Sequence, residues 1–349
     1  MKIVVALDSF KGSASSYALN AAVKKGIKSV LPQTEVCTFE IADGGEGTLA
    51  ALAQKLGGER IKVATVDLMG RQITASYLLA GDVAVVEAAQ VIGLDKITPT
   101  ADTFTQASSR GLAALFIDAE KRGVSELLVS LGGTGTSDGG LGLLEGLGGS
   151  IFALPRFENM KVTALTDVTN VYAGENGYAR VFGPQKGGTP DLIEQQEAQA
   201  QERARQIRER YGLDVQKVAG TGAAGGLGAA ILLLGGELKS GFFKIAELLE
   251  LEEELKDADL VITGEGSLDF QTAHGKVPYG MAILAKKHKV PTLAFVGTLG
   301  ENLGEMEELL LASFSIQPRP LSLEQALEEK GTLHHLEELT KNVIKARFL

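Results

Sequence analysis

The chain has 349 residues, roughly two domains of average size, each long enough to bury a core of its own. Hydrophobic residues make up 44% of it and charged residues 22%, without a low-complexity tract, which excludes a disordered or fibrous protein. Its 34 basic and 44 acidic residues give a net charge of −10, which argues against nucleic-acid and membrane-surface partners.

The cysteine content and the first residues predict a cytoplasmic protein. The single Cys37 cannot form an intrachain disulfide. Residues Met1–Ala6 lead into Asp8 without the long apolar core of a secretory signal. No apolar run reaches the ~18 residues of a membrane span, so no membrane anchor is expected.

Short β-branched runs alternate with Ala- and Leu-rich stretches at helical spacing, which predicts an α/β fold. Several of the runs are continuously apolar, as is typical of strands covered on both faces. In chain order, the predicted strands are Lys2–Leu7, Val36–Ile41, Leu127–Leu131, Val162–Leu165, Leu260–Thr263, Thr292–Val296 and Ser313–Ile316.

Residues Ile61–Ala89 show a different pattern, with turn signals at Met69–Arg71 and Ala80–Asp82 between short apolar strands. We interpret this stretch as an antiparallel meander that opens an inserted domain. The predicted domains are a discontinuous one, residues 1–62 and 255–349, and an inserted one, residues 63–254. The first is expected to hold a mainly parallel, Rossmann- or flavodoxin-like sheet, and the second a mixed sheet.

A long polar helix is predicted after Thr189-Pro190-Asp191, where a capping hydroxyl precedes proline at the first helical position. The helix continues through Tyr211 and is polar almost all round, which is typical of a face exposed to solvent.

Glycine is enriched and accounts for 43 of the 349 residues. Many of these glycines lie in a few loops, and most of these loops follow a predicted strand. Glycine loops let backbone amides approach an anion. Phosphoryl transfer also needs cationic side chains, carboxylates for Mg²⁺ and an acceptor for the substrate hydroxyl proton. The loops of this chain contain all four ingredients.

The first two loops follow the first two predicted strands. Asp8–Ser13 places an acid, a hydroxyl and Lys11 at the carboxyl end of a strand, where open α/β sheets bind ligands. Alternatively, its polar residues only cap the next helix. In Ala42–Thr48, Asp43 and Glu46 flank glycines at a helix start. This arrangement favours binding of Mg²⁺ or of a substrate hydroxyl between the two acids. Alternatively, both acids only interact favourably with the dipole of the helix.

Two further loops are almost free of side-chain bulk. Gly132–Gly140 has five glycines, three hydroxyls and Asp138, which indicates close approach of the backbone to another group. Gly220–Gly226 contains G-x-G-x-x-G, but the preceding strand is poor and no acid follows about 20 residues on, so a dinucleotide site is disfavoured. A phosphate cradle and tight helix packing remain open for it.

The segment Thr263–Lys276 supplies candidate metal ligands in Glu265 and Asp269 and a cation in Lys276. Asn170 and Lys186 lie in two other turns, where they either hold a substrate carboxylate or phosphate or are ordinary turn residues. The P-loop and protein-kinase motifs are absent, so a kinase here is of another type.

The order of these motifs resembles that of the type I glycerate kinases. Seven motifs, spread over nearly the whole chain, carry the resemblance: Asp8–Ser13, Ala42–Thr48, Gly132–Gly140, Asp167–Asn170, Gly183–Gly187, Gly222–Gly228 and Thr263–Lys276. The resemblance implies ATP-dependent phosphorylation of D-glycerate, usually to 2-phosphoglycerate, in a site between two α/β domains.

The chain departs from the family pattern in three places. Leu7 stands where the family usually has proline, and Thr134-Gly135-Thr136-Ser137 stands where Ser-Ala-Thr-Asn is common. Between Ile151 and Val162 the chain is roughly twenty to thirty residues shorter than such kinases, and the missing part is a glycine-rich loop and a helix.

Combined with the loop chemistry, the resemblance assigns expected roles. Asp8 or Asp43 is expected to accept the hydroxyl proton, and Asp138 or Glu265 to help hold Mg²⁺. The expected catalytic residues are Asp8, Lys11, Asp43 and Lys276, and the expected substrate-binding residues are Ser9, Glu46, Arg71 and Asn170. The expected nucleotide-binding residues are Gly133, Thr134, Thr136, Lys186, Gly222, Ala223 and Gly225. The expected metal-binding residues are Asp138, Glu265 and Asp269.

The expected cofactors are ATP and Mg²⁺, the expected partner is D-glycerate, and the expected state is a monomer or homodimer. Two other functions are kept open: a nucleotide-dependent oxidoreductase, and a non-catalytic anion-binding regulatory module that closes on its ligand.

Overall fold

The computed structural model describes residues 1–41 and 48–349, and it divides the chain into two compact units. Among the described residues, the first unit contains residues 1–41, Ala50–Leu52 and Phe242–Leu349, and the second contains residues 48–49 and Ala53–Gly241.

The chain begins in the first unit with two strands and a helix, which are β1 (Lys2–Leu7), α1 (Ser16–Val30) and β2 (Glu35–Thr38). Helix α2 (Thr48–Leu56) follows, and its residues are divided between the two units. Ser15 caps α1, because its Oγ accepts a hydrogen bond from the Ala18 N–H at 3.3 Å.

The second unit follows in one continuous stretch. Its elements are β3 (Glu59–Val66), β4 (Gln72–Ala80), β5 (Val83–Glu87), α3 (Ala89–Ile92), α4 (Ala101–Gln106), α5 (Leu112–Lys121), β6 (Glu126–Ser130), α6 (Leu141–Gly146), β7 (Lys161–Leu165), α7 (Tyr178–Phe182), α8 (Pro190–Tyr211), α9 (Ala223–Leu233) and β8 (Glu237–Lys239).

The chain then returns to the first unit. The remaining elements are α10 (Gly241–Leu248), α11 (Leu251–Leu255), β9 (Leu260–Gly264), β10 (Ser267–Leu268), α12 (Val277–Lys287), β11 (Thr292–Val296), β12 (Thr298–Leu299), α13 (Met306–Leu309), β13 (Ala312–Ser315), α14 (Leu323–Leu327) and α15 (Glu329–Phe348).

The first unit is built on a five-stranded parallel sheet of order β13-β11-β9-β1-β2. Strands β9 and β11 are fully buried, as their continuous apolar sequences predict. Counted within this unit, the order is the flavodoxin-like 2-1-3-4-5, with its topological switch point between β1 and β9. In sheets of this order, ligands bind beyond the carboxyl ends of the strands at that point.

The second unit is built on a six-stranded mixed sheet of order β3-β4-β5-β6-β7-β8. Strands β3, β4 and β5 pair antiparallel, which confirms the predicted meander, and the remaining pairs are parallel. The predicted α/β class, with one parallel and one mixed sheet, is therefore confirmed.

Helix α8 begins and ends as its sequence predicts. The Thr189 Oγ1 accepts a hydrogen bond from the Leu192 N–H, and Gly212 closes the helix with φ +68°. Among the described residues, no helix combines the length and apolar character needed to cross a membrane.

Candidate active site

Five of the predicted site residues line one cavity of the first unit, at the switch point of its sheet. Asp8, Ser9 and Lys11 follow β1, while Glu265 and Lys276 follow β9. The cavity has a volume of about 410 Å³. Because β1 and β9 are parallel neighbours, their carboxyl ends bring two acids and two lysines together.

The turn after β1 is held by backbone hydrogen bonds. The Asp8 N–H donates to the Gly264 carbonyl at 2.9 Å, and Phe10 and Ala14 exchange two backbone hydrogen bonds across the Lys11 turn. The Asp8 Oδ1 accepts from the Ser9 N–H at 2.7 Å, and the residue is 9% exposed. The carboxylate is thus fixed at the cavity by its own backbone.

Glu265 is the buried acid of the cavity, with 5% of its surface exposed. Its Oε2 lies 3.0 Å from the Lys276 Nζ, and its Oε1 accepts a hydrogen bond from the Thr272 hydroxyl. Burial raises the pKa of Glu265 above its ordinary value, although Thr272 and Lys276 both oppose the rise. The pair supplies a cation and a carboxylate at one point, as phosphate and Mg²⁺ binding require.

Asp269, the third predicted metal ligand, lies in the same segment but does not line this cavity. Its N–H donates to the Thr272 Oγ1 at 3.1 Å, so Thr272 connects Asp269 to Glu265. Thr272 was not predicted as a site residue, because a lone threonine in a loop carries no motif.

Three of the predicted nucleotide-binding residues, Thr136, Lys186 and Gly225, come together in the second unit, whereas Gly133 and Thr134 contact Leu94 and Gly93. The Gly139 N–H donates to the Gly225 carbonyl at 2.9 Å, and the Lys186 Nζ donates to the Thr136 carbonyl at 2.6 Å. The glycines allow close contacts between backbones. A Cβ on Gly225 would lie 2.0 Å from the Thr136 carbonyl oxygen, and one on Gly222 would lie 2.2 Å from that of Val171.

This packing accounts for Gly222 and Gly225 without a ligand. It corresponds to the tight packing that was one of the two alternatives for their loop, the other being a phosphate cradle. Ala224 between them adopts φ +52°, a left-handed conformation that costs an alanine about 1 kcal/mol or more. The nucleotide-binding role of these loops stays a prediction.

Lys186 is buried in this loop cluster, with 2% of its surface exposed. Its Nζ lies 5.9 Å from the centre of the Phe182 ring. Nearby, the Thr136 Oγ1 and the Ser137 Oγ are buried and have no hydrogen-bond partner among the described residues. Burial lowers the pKa of Lys186 to about 8.

The buried lysine predicts a specific dependence of stability on pH. Because its pKa is about 8 in the folded protein and near 10.5 when unfolded, the unfolded chain binds the extra proton between these values. Its contribution to the free energy of unfolding therefore rises with pH across that window. In urea denaturation from pH 7.5 to 10.5, the stability of the wild type minus that of Lys186→Met should increase with pH.

Lys217→Met is the matched control, because the Lys217 side chain is 82% exposed. The stability difference between the wild type and this variant should stay flat over the same range. A flat difference for Lys186→Met as well would show that Lys186 remains charged in the folded protein.

Asp138 is held by four hydrogen-bond donors. Its Oδ2 accepts from the N–H and Oγ of Ser109 at 2.7 and 2.8 Å and from the Gly142 N–H at 3.1 Å, while its Oδ1 accepts from the Gly140 N–H at 3.0 Å. These contacts fix the loop to the start of α6, which is a structural use of the carboxylate. Its role as a metal ligand stays a prediction.

The predicted substrate residues of the second unit also have protein partners. The Arg71 Nε lies 2.5 Å from the Asp67 Oδ2, and its Nη2 donates to the Lys96 carbonyl. The Asn170 carbonyl accepts the Gly222 N–H at 3.0 Å, which places this residue beside the glycine loops. The predicted Asp43 and Glu46 lie outside the described residues.

One wall of the cavity was not predicted. It contains Ile316 and Gln317, directly after β13, and residues of α14. The strand-end rule that singled out Asp8 applies equally to Gln317, since a strand was predicted to end at Ile316. The capping box of Ser322 and Gln325 was a further signal, because it marks the start of α14.

Comparison with known proteins gives a consistent result. The family model described as "Glycerate kinase family" matches residues 3–154 and 152–347. A glycerate kinase of Halalkalibacterium halodurans is 36% identical over 98% of this chain and 97% of its own length. A glycerate 2-kinase of Escherichia coli is 35% identical with the same coverage.

A solved structure agrees with these relatives. A Salmonella typhimurium LT2 protein described as a glycerate kinase 2 matches with a TM-score of 0.82 and 34% sequence identity, over 99% of this chain and 98% of that one.

The two segments of the family match overlap at residues 152–154, within the stretch that is predicted from the resemblance to be shorter than in the family. There, Ser150 and Ala153 exchange two backbone hydrogen bonds in a tight turn. The end of α8 supports the turn. Arg210 donates a hydrogen bond to the Phe152 carbonyl, and the Tyr211 hydroxyl donates one to the Ile151 carbonyl. This short connection therefore has its own hydrogen bonds.

The chain belongs to the glycerate kinase family, and the prediction that it is an enzyme of the kinase class is confirmed.

Proposed function

We propose that this member of the glycerate kinase family transfers the γ-phosphoryl group of ATP to the C2 hydroxyl of D-glycerate, with 2-phosphoglycerate and ADP as products. The hydroxyl oxygen forms a bond to the γ-phosphorus, the bond to the β–γ bridging oxygen breaks, and the hydroxyl proton leaves to a base. The observation that carries the proposal is the cavity at the switch point, where Asp8, Lys11, Glu265 and Lys276 meet.

Asp8 is the proposed base. It follows a buried strand, lines the cavity, and has its carboxylate oriented by the Ser9 N–H. A carboxylate held in this way accepts a proton without reorganisation of the loop, which is the requirement for general base catalysis. The predicted alternative base, Asp43, lies outside the described residues.

Lys11 and Lys276 are the proposed cations for the phosphate groups. Both line the cavity, and Lys276 immediately precedes α12, whose amino terminus adds a positive partial charge. Phosphoryl transfer is catalysed mainly by positioning and by electrostatic stabilisation of the phosphate oxygens, which two lysines supply.

The donor set of the cavity fits Mg²⁺. This ion usually takes one or two carboxylates and completes its shell with phosphate oxygens and water. Glu265 is the proposed ligand, with Asp269 nearby through Thr272. When bound, the ion would neutralise charge on the phosphates.

We further propose ligand-binding roles for residues of the second unit, as the family resemblance implies. In this proposal, the loops Gly133–Thr136 and Gly222–Gly225 bind phosphates together with Lys186. The unpartnered Thr136 and Ser137 hydroxyls support a polar ligand there. Ser9, Arg71 and Asn170 are the proposed contacts of glycerate. The proposed setting is a cytoplasmic monomer or homodimer.

The proposal is tested by a Mg²⁺-dependent assay of ADP release with D-glycerate, L-glycerate and related hydroxy acids. We expect ADP release with D-glycerate, and equal rates with and without it would contradict the proposal. Phosphorus NMR then identifies the product, because the phosphorus of 2-phosphoglycerate couples to one carbon-bound proton and that of 3-phosphoglycerate to two. A 3-phosphoglycerate product would overturn the regiochemistry alone.

A further inference from the structure

We infer that the first unit binds the purine base of the nucleotide, on an apolar wall of the cavity that holds Asp8 and Glu265. We call this surface the base wall; it consists of Phe10, Ile316, Leu323, Ala326 and Leu327. The inference rests on the proposed kinase function. It assigns binding of the purine base to this unit, whereas the sequence predicted no residue for the base.

The residues that line the cavity form a charged set and an apolar set. One set is charged and contains Asp8, Lys11, Glu265 and Lys276, while the base wall is apolar, with Gln317 following its Ile316 as a polar neighbour. ATP has the same asymmetry, since a polyanionic tail is joined to a base with two apolar faces. Glycerate does not match it, because each of its three carbon atoms carries oxygen and it has no apolar surface to bury.

The size of the cavity points to the same ligand. Its volume of about 410 Å³ lies within the range of roughly 300–1,000 Å³ that is usual for pockets holding a drug-sized molecule. Such pockets combine apolar walls with a few polar groups that fix orientation. A three-carbon acid would leave most of this space, including the base wall, unused.

The base wall exposes two leucines of one short helix. Leu323 is 75% exposed and Leu327 is 38% exposed, both on α14. Removing apolar surface from water is favourable, so a base placed over these side chains would add to the affinity.

Helix α14 is fixed relative to the phosphate-binding turn. The Ser13 Oγ lies 2.7 Å from the Thr332 Oγ1, and the same Thr332 hydroxyl is 3.2 Å from the Ala326 carbonyl. Thr332 therefore joins the Lys11 turn to α14. This link connects the base wall to the turn that carries Lys11, a cation proposed for the phosphates.

The test compares two probes that differ only in the nucleoside: ATP and inorganic tripolyphosphate. In calorimetric titrations of Leu323→Gln/Leu327→Gln, the Kd for ATP should rise at least tenfold, whereas the Kd for tripolyphosphate should change less than twofold. In the activity assay, the KM for ATP should rise and the KM for D-glycerate should not.

Leu311→Gln is the matched control, since Leu311 is 55% exposed in the same unit and does not line the cavity. It should leave both affinities unchanged. If the double variant does not fold, Leu323→Gln alone is used, because this side chain is the more exposed of the two. Equal weakening of ATP and tripolyphosphate, an unchanged affinity for ATP, or a rise in the KM for D-glycerate alone would overturn the inference.

The two proposals fail in different ways. If the wild type binds ATP through the base wall but releases no ADP with D-glycerate, the proposed function is wrong and the base site stands. If the enzyme phosphorylates D-glycerate and the leucine variants bind ATP normally, only the base site is wrong.

Discussion

Replacing Asp8 by asparagine is expected to lower kcat by a factor of about 10²–10⁴, the usual contribution of a positioned general base. Asparagine has nearly the same shape and its amide oxygen still accepts the Ser9 N–H, so the turn after β1 should keep its structure. The amide does not accept the hydroxyl proton, however. The effect is measured as the steady-state rate of ADP release at saturating ATP and D-glycerate.

The matched control is Asp257→Asn, the same substitution in the same unit. Asp257 is exposed and pairs with Lys2 at the opposite, amino-terminal end of β1. Its kcat should stay within about twofold of the wild type, because the change is far from the cavity. A loss of less than tenfold in Asp8→Asn would mean that the base is another residue, and Asp43 would be the first to examine.

Replacing Lys276 by methionine is expected to lower kcat/KM about 100-fold and to move the acid limb of the pH profile to higher pH. The loss of rate follows from the removal of one cation from the phosphate site; 100-fold corresponds to about 2.7 kcal/mol of transition-state stabilisation. The shift follows from Glu265, whose Oε2 lies 3.0 Å from the Lys276 Nζ.

The direction of the shift comes from the charge of Glu265. Burial already raises the pKa of this carboxyl, and Lys276 holds it down. Without the lysine, the pKa of Glu265 rises further. If the ionised carboxylate is the form that holds Mg²⁺, activity appears only as pH increases through this pKa, so the midpoint of the limb moves upward. The measurement is kcat/KM between pH 5 and 9.

Two comparisons isolate this effect. In a Glu265→Gln background, Lys276→Met should no longer move the acid limb, because the titrating group is gone. Lys287→Met, at the other end of α12 and with its side chain 56% exposed, should leave both rate and profile unchanged. An acid limb that stays in place in Lys276→Met would show that Glu265 does not control it.

The strands and the meander were predictable from the sequence because their signals are local. Strands β1 and β11 have the predicted bounds, Lys2–Leu7 and Thr292–Val296, since a continuous apolar run identifies a strand covered on both faces. The short strand β8, Glu237–Lys239, was missed because three residues with charged ends carry neither an alternating nor an apolar pattern.

The cavity was predictable only in part. The strand-end rule singled out Asp8, and the acids and the lysine of Thr263–Lys276 singled out Glu265 and Lys276. Their meeting depends on the pairing of β1 with β9, in which the Thr263 Oγ1 donates to the Ala6 carbonyl 257 residues away. The apolar half of the cavity was missed altogether. Leucines at helical spacing are most simply read as core residues, and nothing in the sequence shows that Leu323 is 75% exposed.

The glycine loops mark the limit of inference from sequence. Glycine is required wherever a backbone comes close, whether the approaching group is a phosphate or another strand of the same chain. At Gly225 the approaching group is the Thr136 carbonyl, which the sequence did not reveal.

Periodicity, capping and turn chemistry act over a few residues, so the sequence determined the elements and the acids and lysines at their ends. Contacts between distant segments decided which of those groups share a cavity, which glycines are used for packing and where the apolar wall lies.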